Sequence, residues 1–309
     1  MKIVFFGSGT FGLASLRALL EAGRAPVLVV TQPPRRRRRR GHAEPTPVHA
    51  AASAAAVEVI TPAKVNEETP LARLRAAAAT LFVTAEYGQI LSQALLDIAP
   101  TINVHGSLLP RWRGAAPVSA AILAGDEETG ITIQRTVLKL DEGPILAVRR
   151  LAIEPDEDAG ALAGRLAPLG GELLLEVVEA LAGGTPPAAQ PQDEAQATYC
   201  KRLRPEDTRV DWARSAAEIA RLVRALSPKP GARTVLEREP PLPLELKAAV
   251  AVPGAGAAGV VAALGRDSFD VATGDGCLRV RALVPAARKA MDARAFLNGY
   301  RLSVGERFC

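Results

Sequence analysis

Aromatic residues are scarce: two Trp, three Tyr and seven Phe make up 4% of 309 residues. The interior must therefore be built mostly from Ala, Leu and Val. The hydrophobic fraction of 48% is ample for sizeable cores and excludes a disordered chain. Cysteine is as rare. Cys200, Cys277 and Cys309 are odd in number, far apart and without paired spacing, so neither disulfides nor a zinc site is implied and a reducing cytoplasm is expected. No run approaches the roughly 18 apolar residues of a membrane span, and the opening Ile3-Val4-Phe5-Phe6 breaks at Gly7, too soon for a signal peptide. A membrane partner is not expected. Histidine is the third shortage. His42 and His49 fall in a basic, Pro-flanked stretch, which leaves His105 as the candidate for histidine chemistry.

Charge is concentrated in one place. The chain carries 38 Lys and Arg against 33 Asp and Glu, a net of +5. Arg35, Arg36, Arg37, Arg38, Arg39 and Arg40 account for the whole excess, since 32 basic groups would remain without them. Six adjacent guanidinium groups repel one another until an anion meets them. Arginine matches phosphate oxygens bidentately, so a polyphosphate partner fits better than an idle solvated loop.

The hydrophobic pattern divides the chain in two. Residues 2–6 and 26–31 read as strands around a helix with Leu13, Leu16, Leu19 and Leu20 at helical spacing. This strand–helix–strand order predicts a parallel sheet. Further helices are expected at 47–56, 71–79, 116–124 and 159–182, with strands at 57–60, 81–84, 131–137 and 144–153. Composition then turns to Gly and Pro at 183–192, as in a linker. Beyond a helix at 216–225, short strands at 234–236, 244–250, 259–263, 269–272 and 278–284 suggest a small barrel. The expected fold is α/β: a Rossmann-like parallel-sheet domain at 1–182, a linker at 183–206 and a barrel domain at 207–309.

The densest chemistry lies in Ile102-Asn103-Val104-His105-Gly106-Ser107-Leu108-Leu109-Pro110. Alternate residues of an extended segment share a face, so an amide, an imidazole and a hydroxyl would point together. Asn can donate to developing oxyanion charge and His can relay a proton; ending a strand is the plainer alternative. Asp141, before Glu142-Gly143-Pro144, could orient an imidazole or simply form a turn. Arg111 and Arg113 could attract anions or brace the turn. Gly7-x-Gly9-x-x-Gly12 fits the dinucleotide fingerprint, but the second strand ends in Thr31-Gln32-Pro33 with no acid, which disfavours NAD; NADP with Arg35 on its phosphate stays open. Tyr87-Gly88-Gln89-Ile90-Leu91 could line a pocket for a flat heterocycle or form a strand-to-helix turn.

The run from Asn103 to Pro117, with Asp141 after Lys139-Leu140, resembles the signature of the methionyl-tRNA formyltransferase family, within the wider group of folate-dependent formyltransferases and hydrolases. Gly125-Asp126-Glu127-Glu128-Thr129-Gly130, Ala197-Thr198-Tyr199 and Val210-Asp211-Trp212 extend it over nearly the whole chain. The resemblance implies an OB-like C-terminal barrel that receives tRNA. It implies formyl transfer from 10-formyltetrahydrofolate to the amine of Met on initiator tRNA, with no metal. Asn103 and His105 would stabilise the oxyanion and Asp141 would orient His105. Folate would lie near Tyr87 and Gly88 and along Ser107, Leu108, Leu109 and Pro110. The arginine loop would engage the tRNA acceptor end, and the glycine loop would lie beside the site without binding nicotinamide. Glu86 stands where the family carries a small residue. A monomer is expected. A hydrolase or sugar-nucleotide formyltransferase could share the catalytic set, and a non-catalytic RNA-binding protein would keep only the arginines.

Overall fold

A computed structural model describes residues 1–36 and 43–309, with no side-chain placement for residues 35 and 36. Packing separates the chain into two compact units: Met1–Pro117 with Glu128–Ala152 and Ala163–Cys200, and Val118–Glu127 with Ile153–Leu162 and Lys201–Cys309.

The first unit opens with β1 (Ile3–Gly7), α1 (Thr10–Glu21) and β2 (Leu28–Val30). A two-rung ladder, β3 (Arg35–Arg36) with β4 (Ala43–Glu44), precedes α2 (Pro47–Ala54) and β5 (Val59–Ile60). Then come α3 (Glu68–Ala76), β6 (Leu81–Ala85), α4 (Gln93–Leu96), β7 (Thr101–His105) and β8 (Arg113–Gly114). Helix α5 (Pro117–Ala124) follows in the chain but belongs from Val118 on to the second unit, as does α6 (Ala159–Ala182) up to Leu162; β9 (Glu128–Arg135), β10 (Ile145–Ala152), the rest of α6 and β11 (Tyr199–Cys200) complete the first.

The main sheet runs β10-β9-β7-β6-β1-β2-β5. Strands β5, β2, β1, β6 and β7 are parallel, as the strand–helix–strand pattern predicts. Strands β9 and β10 extend this parallel sheet at one edge as antiparallel additions. The reason is local: β10 follows β9 through a turn at 136–144, too short for a crossover helix, so the chain must reverse. The buried apolar runs of β1 and β6 pack on Leu71, Leu74, Leu95 and Tyr87 on one face. Strand order reverses beside β1, which opens a crevice at the carboxyl ends of β1 and β6, the usual ligand position in such sheets.

The second unit contains α7 (Ala216–Leu226), β12 (Ala232–Leu236), β13 (Leu242–Val252), β14 (Val261–Leu264) and β15 (Phe269–Ala272). It ends with β16 (Cys277–Pro285), β17 (Met291–Asp292) and α8 (Ala293–Tyr300). The sheet is antiparallel in the order β12-β13-β16-β15-β14, with β17 on β16. Helix α7 starts in a capping box, Ser215 and Glu218 each bonding the other's backbone N–H. Five of the twelve aromatics lie here, among them Phe308, which stacks on Phe269 at 5.9 Å and lies 5.8 Å from Trp212. Each buried ring contributes about 1.5–3 kcal/mol.

The last residues bond both edges of this sheet. Val235 and Cys309 exchange N–H···O bonds of 2.9 Å beside β12, while Phe308 N–H donates to Gly259 O (2.7 Å) and Val261 N–H to Glu306 O (2.8 Å) beside β14. Arg238 secures the segment by a two-pronged bond to Glu306 and a bond to Tyr300 O (2.7 Å). That bond holds the Glu306 carboxyl below its ordinary pKa. A depressed carboxylate stabilises the fold above its unfolded pKa of about 4.3, and the contribution disappears as pH falls through the folded value. Arg238→Met is therefore expected to lower Tm at neutral pH by the equivalent of about 1 kcal/mol. In thermal melts the deficit should shrink below about pH 4; a deficit independent of pH would mean that the ion pair is not its source.

Candidate active site

Strand β7 ends in Asn103-Val104-His105, and the pleat buries Val104 on the face opposite Asn103 and His105. Register sets their neighbours. Asn103 lies between Thr84 of β6 and Gln134 of β9, and His105 lies beside Thr132 of β9. Thr84 Oγ1 donates to Asn103 Oδ1 (2.7 Å), so the Asn103 amide nitrogen is turned toward Asp141, 3.4 Å from its Oδ1.

Asp141 sits in the turn between β9 and β10 at φ +56°, a left-handed position that Asp tolerates better than most residues. Gly143 closes the same turn against Arg135, whose carbonyl oxygen would lie 1.7 Å from any added Cβ. The carboxylate is well supplied with donors. Gln134 Nε2 reaches Oδ1 at 2.9 Å and the Gly114 N–H reaches Oδ2 at 2.9 Å. His105 Nδ1 stands 3.7 Å from Oδ2, longer than a hydrogen bond, while Nε2 is 3.0 Å from the Trp112 carbonyl. A carbonyl only accepts, so Nε2 carries the proton and Nδ1 faces the carboxylate. His105 and Asp141 side chains are 6% and 9% exposed, dry enough for dipoles to act strongly. Glu86, Trp112 and Asp141 are all left-handed non-glycine residues in one unit, a cost of about 1–2 kcal/mol each that is tolerated where function demands the geometry.

The other expected residues divide. Ser107 is fully buried and its hydroxyl donates to Arg111 O (2.6 Å), so it ties the turn rather than sharing the face of Asn103 and His105. Leu109 is buried, its N–H held by Thr132 Oγ1 (3.1 Å), and Leu108 and Pro110 are half-buried. The Tyr87 ring lies in the apolar core against Phe6, leaving only its carbonyl on the crevice side, where Ser8 Oγ and Gln32 Nε2 donate to it. Burial without a partner for its hydroxyl pushes Tyr87 acidity up in pKa. Gly88 is exposed at φ +83°. Arg37, Arg38, Arg39 and Arg40 lie outside the described residues. Arg113 is a brace: fully buried, it bonds Glu194 (2.7 and 2.9 Å), Gln192 (3.0 Å) and the Tyr199 hydroxyl (3.0 Å). Arg111 stacks 4.5 Å over the Trp112 ring.

The glycine loop is filled from within the chain. The Phe11 N–H donates to Glu86 Oε2 (2.9 Å), and a Cβ on Gly9 would lie 2.1 Å from that carboxylate. The amino end of α1 already holds an anion where a dinucleotide would place its pyrophosphate. Burial raises the Glu86 pKa, opposed by the Phe11 and Gly12 N–H groups. Gly12 has a packing reason, since its Cβ would meet Ala85 O at 2.5 Å.

Known proteins resemble this chain along nearly its whole length. The formyl transferase pattern matches residues 1–178, and that of the formyl transferase C-terminal domain matches residues 202–301. The chain belongs to the formyl transferase family. A methionyl-tRNA formyltransferase of Symbiobacterium thermophilum is 43% identical over 314 residues, covering 100% of this chain and 95% of its own. One from Halorhodospira halophila is 42% identical, covering 99% and 98%. Among solved structures, the sugar 3N-formyl transferase WlaRD, in the presence of dTDP and 5-N-formyl-THF, shares the fold at a TM-score of 0.66 and 15% identity, covering 95% of this chain and 98% of its own. The resemblance read from the Asn103 to Pro117 signature is thus met across the chain. No helix among the described residues is long and apolar enough to cross a membrane.

Thr84, Gly114, Gln134 and Gln192 escaped the sequence reading. Gln134 carried a usable signal. It alternates with Thr132 and follows Ile131 and Ile133 in the buried stretch 129–134 of its strand, and a buried polar side chain there needs a partner. Gln192 lies in the Gly/Pro-rich stretch and has no local signal at all.

Proposed function

We propose that this chain transfers the formyl group of 10-formyltetrahydrofolate to the α-amine of methionine on initiator tRNA, with Asn103, His105 and Asp141 as the reacting groups. The observation that supports the reading is the Asn103–Asp141–His105 set, in which the Asn103 amide is bonded to Asp141 and His105 Nδ1 faces the same carboxylate at 3.7 Å, in a chain of this family. The amine attacks the formyl carbon, a C–N bond forms, and the carbonyl oxygen becomes an oxyanion. The free Asn103 amide hydrogen stabilises that charge, joined by the His105 Nε2–H once the formyl oxygen replaces the Trp112 carbonyl as its acceptor. Asp141 orients His105 and helps take the amine proton, directly or through water. The intermediate collapses as the bond to N10 breaks and N10 leaves with a proton. Holding both substrates at attack distance supplies much of the acceleration.

Folate binding is assigned to Gly88, Leu108, Leu109 and Pro110 and to the backbone at Tyr87 and Ser107, whose side chains are turned inward. Arg35, Arg36, Arg37, Arg38, Arg39 and Arg40 are assigned to the tRNA backbone. The second unit is read as an OB-like barrel for tRNA, occupying 207–309 after a connecting stretch at 183–206; support comes from the last residues, which bond both sheet edges. The protein is placed in the cytoplasm as a monomer. The test is transfer of labelled formyl from 10-formyltetrahydrofolate to initiator Met-tRNA, with elongator Met-tRNA for comparison. Transfer selective for the initiator is expected. Formate release without transfer would make the chain a hydrolase and overturn the reading.

A further inference from the structure

A buried row of amides ends on Asp141, and every bond in it runs one way. Arg113 Nε donates to Gln192 Oε1 (3.0 Å). Gln192 Nε2 donates to Gln134 Oε1 (3.2 Å), and Gln134 Nε2 donates to Asp141 Oδ1 (2.9 Å). The amide orientations are not arbitrary. Turning either one over would set oxygen against oxygen at one end and N–H against N–H at the other. At the head stands a guanidinium that keeps its charge, fully buried and clamped by Glu194 and Tyr199. Gln192 Nε2 also reaches the Asp141 carbonyl (2.8 Å) and the Gly143 carbonyl (2.7 Å). The row therefore grips the backbone of the turn as well as the carboxylate it presents.

We propose that Gln134 and Gln192, headed by Arg113, are positioning residues for Asp141. Donors aligned in series polarise one another. They fix the Asp141 rotamer and hold Oδ1 as an acceptor, which leaves Oδ2 turned to His105. Their hydrogen bonds to the site go to the Asp141 carboxylate and to the backbone of its turn. A packing role accounts for the row less well. A fully buried strand position is filled as readily by leucine, and replacing matched polar partners with apolar groups is nearly neutral for stability. The inference rests on the assignment of Asp141 to the reacting groups.

Steady-state formyl transfer and thermal melts would be measured for Gln134→Leu and Gln192→Met, each alone and in an Asp141→Asn background by single turnover. The expected result for Gln134→Leu is a fall in kcat of about tenfold, the size of one lost bond to a charged group. KM for folate and tRNA should stay within about twofold, and the Asp141→Asn background should show no further loss. A kcat within about twofold of the parent, or the same loss repeated in the Asp141→Asn background, overturns the proposal. If Gln134→Leu does not fold, Gln192→Met at the half-buried link is judged by the same criteria. Full activity in Asp141→Asn alone would instead overturn the assignment of Asp141, and the relay's purpose with it.

Discussion

His105→Ala is expected to lower kcat for formyl transfer by about 100- to 1,000-fold, the range lost when one oxyanion donor is removed. Tight binding of the tRNA should survive. The ring is almost wholly buried, with Nε2 committed to the Trp112 carbonyl and Nδ1 facing Asp141. Neither nitrogen is placed to hold a phosphate. Its removal takes a donor from the Trp112 carbonyl, which also accepts from the Cys200 thiol at 3.5 Å, so some loss of Tm is expected and must be separated from the chemistry. Single-turnover transfer at saturating folate and tRNA does this, because it reads the bound complex. Unchanged turnover with weakened tRNA binding would remove His105 from the reaction and make it a binding residue.

Replacing Arg35, Arg36, Arg37, Arg38, Arg39 and Arg40 by serine is expected to weaken tRNA binding by orders of magnitude while KM for folate stays put. The change takes the net charge from +5 to −1, because the six arginines exceed the whole surplus of 38 basic over 33 acidic residues. Each phosphate contact releases counterions and contributes about −0.7 to −0.9 to the slope of log K against log salt. Losing even three contacts would flatten that slope by about two units or more. Titration of initiator tRNA at several salt concentrations reads it directly. A slope equal to the parent's would assign the phosphate contacts elsewhere and leave the loop without a partner. Only the backbone of Arg35 and Arg36 bears on this structurally, paired with Ala43 and Glu44 at the base of the loop.

Much of the first unit was legible because its signals are local. The apolar runs of β1 and β6 and the 24 residues of α6 appear where the pattern places them. The pleat also put Asn103 and His105 on one face before any neighbour was known. Ser107 failed the same rule because the strand stops at His105, and two residues past its end the pleat no longer governs direction. Tyr87 failed for a related reason. Glu86 at φ +52° turns the chain over, so the ring drops into the core instead of the crevice. Asp141 was found as an acid in a turn, but while Gln134 is 7 residues away, its other two donors are 27 and 38 residues away and come from two other segments. No window on the sequence spans them. In the second unit β17 and α8 were missed, and α8 announces itself mainly by the Asp292 cap that bonds the Ala295 N–H. The glycine fingerprint marked a real strand-to-helix turn. Its chemistry depended on a residue outside the motif, Glu86.

The second unit draws α5 and the stretch Ile153–Leu162 from the middle of the chain, and this has a consequence during synthesis. Ser119 Oγ donates to Ala225 O across a separation of 106 residues, Arg221 reaches back to Leu123 O, and Arg224 to Glu157 O. At a translation speed of about 5–20 residues per second, α5 leaves the ribosome on the order of 5–20 seconds before α7 exists to receive it. For that interval Ser119 and the Leu123 carbonyl must make do with water. The nascent chain thus carries an unfinished surface through the very process it is proposed to serve, and a gene cut near residue 200 would yield one product bearing two orphaned pieces of the second unit and another lacking them.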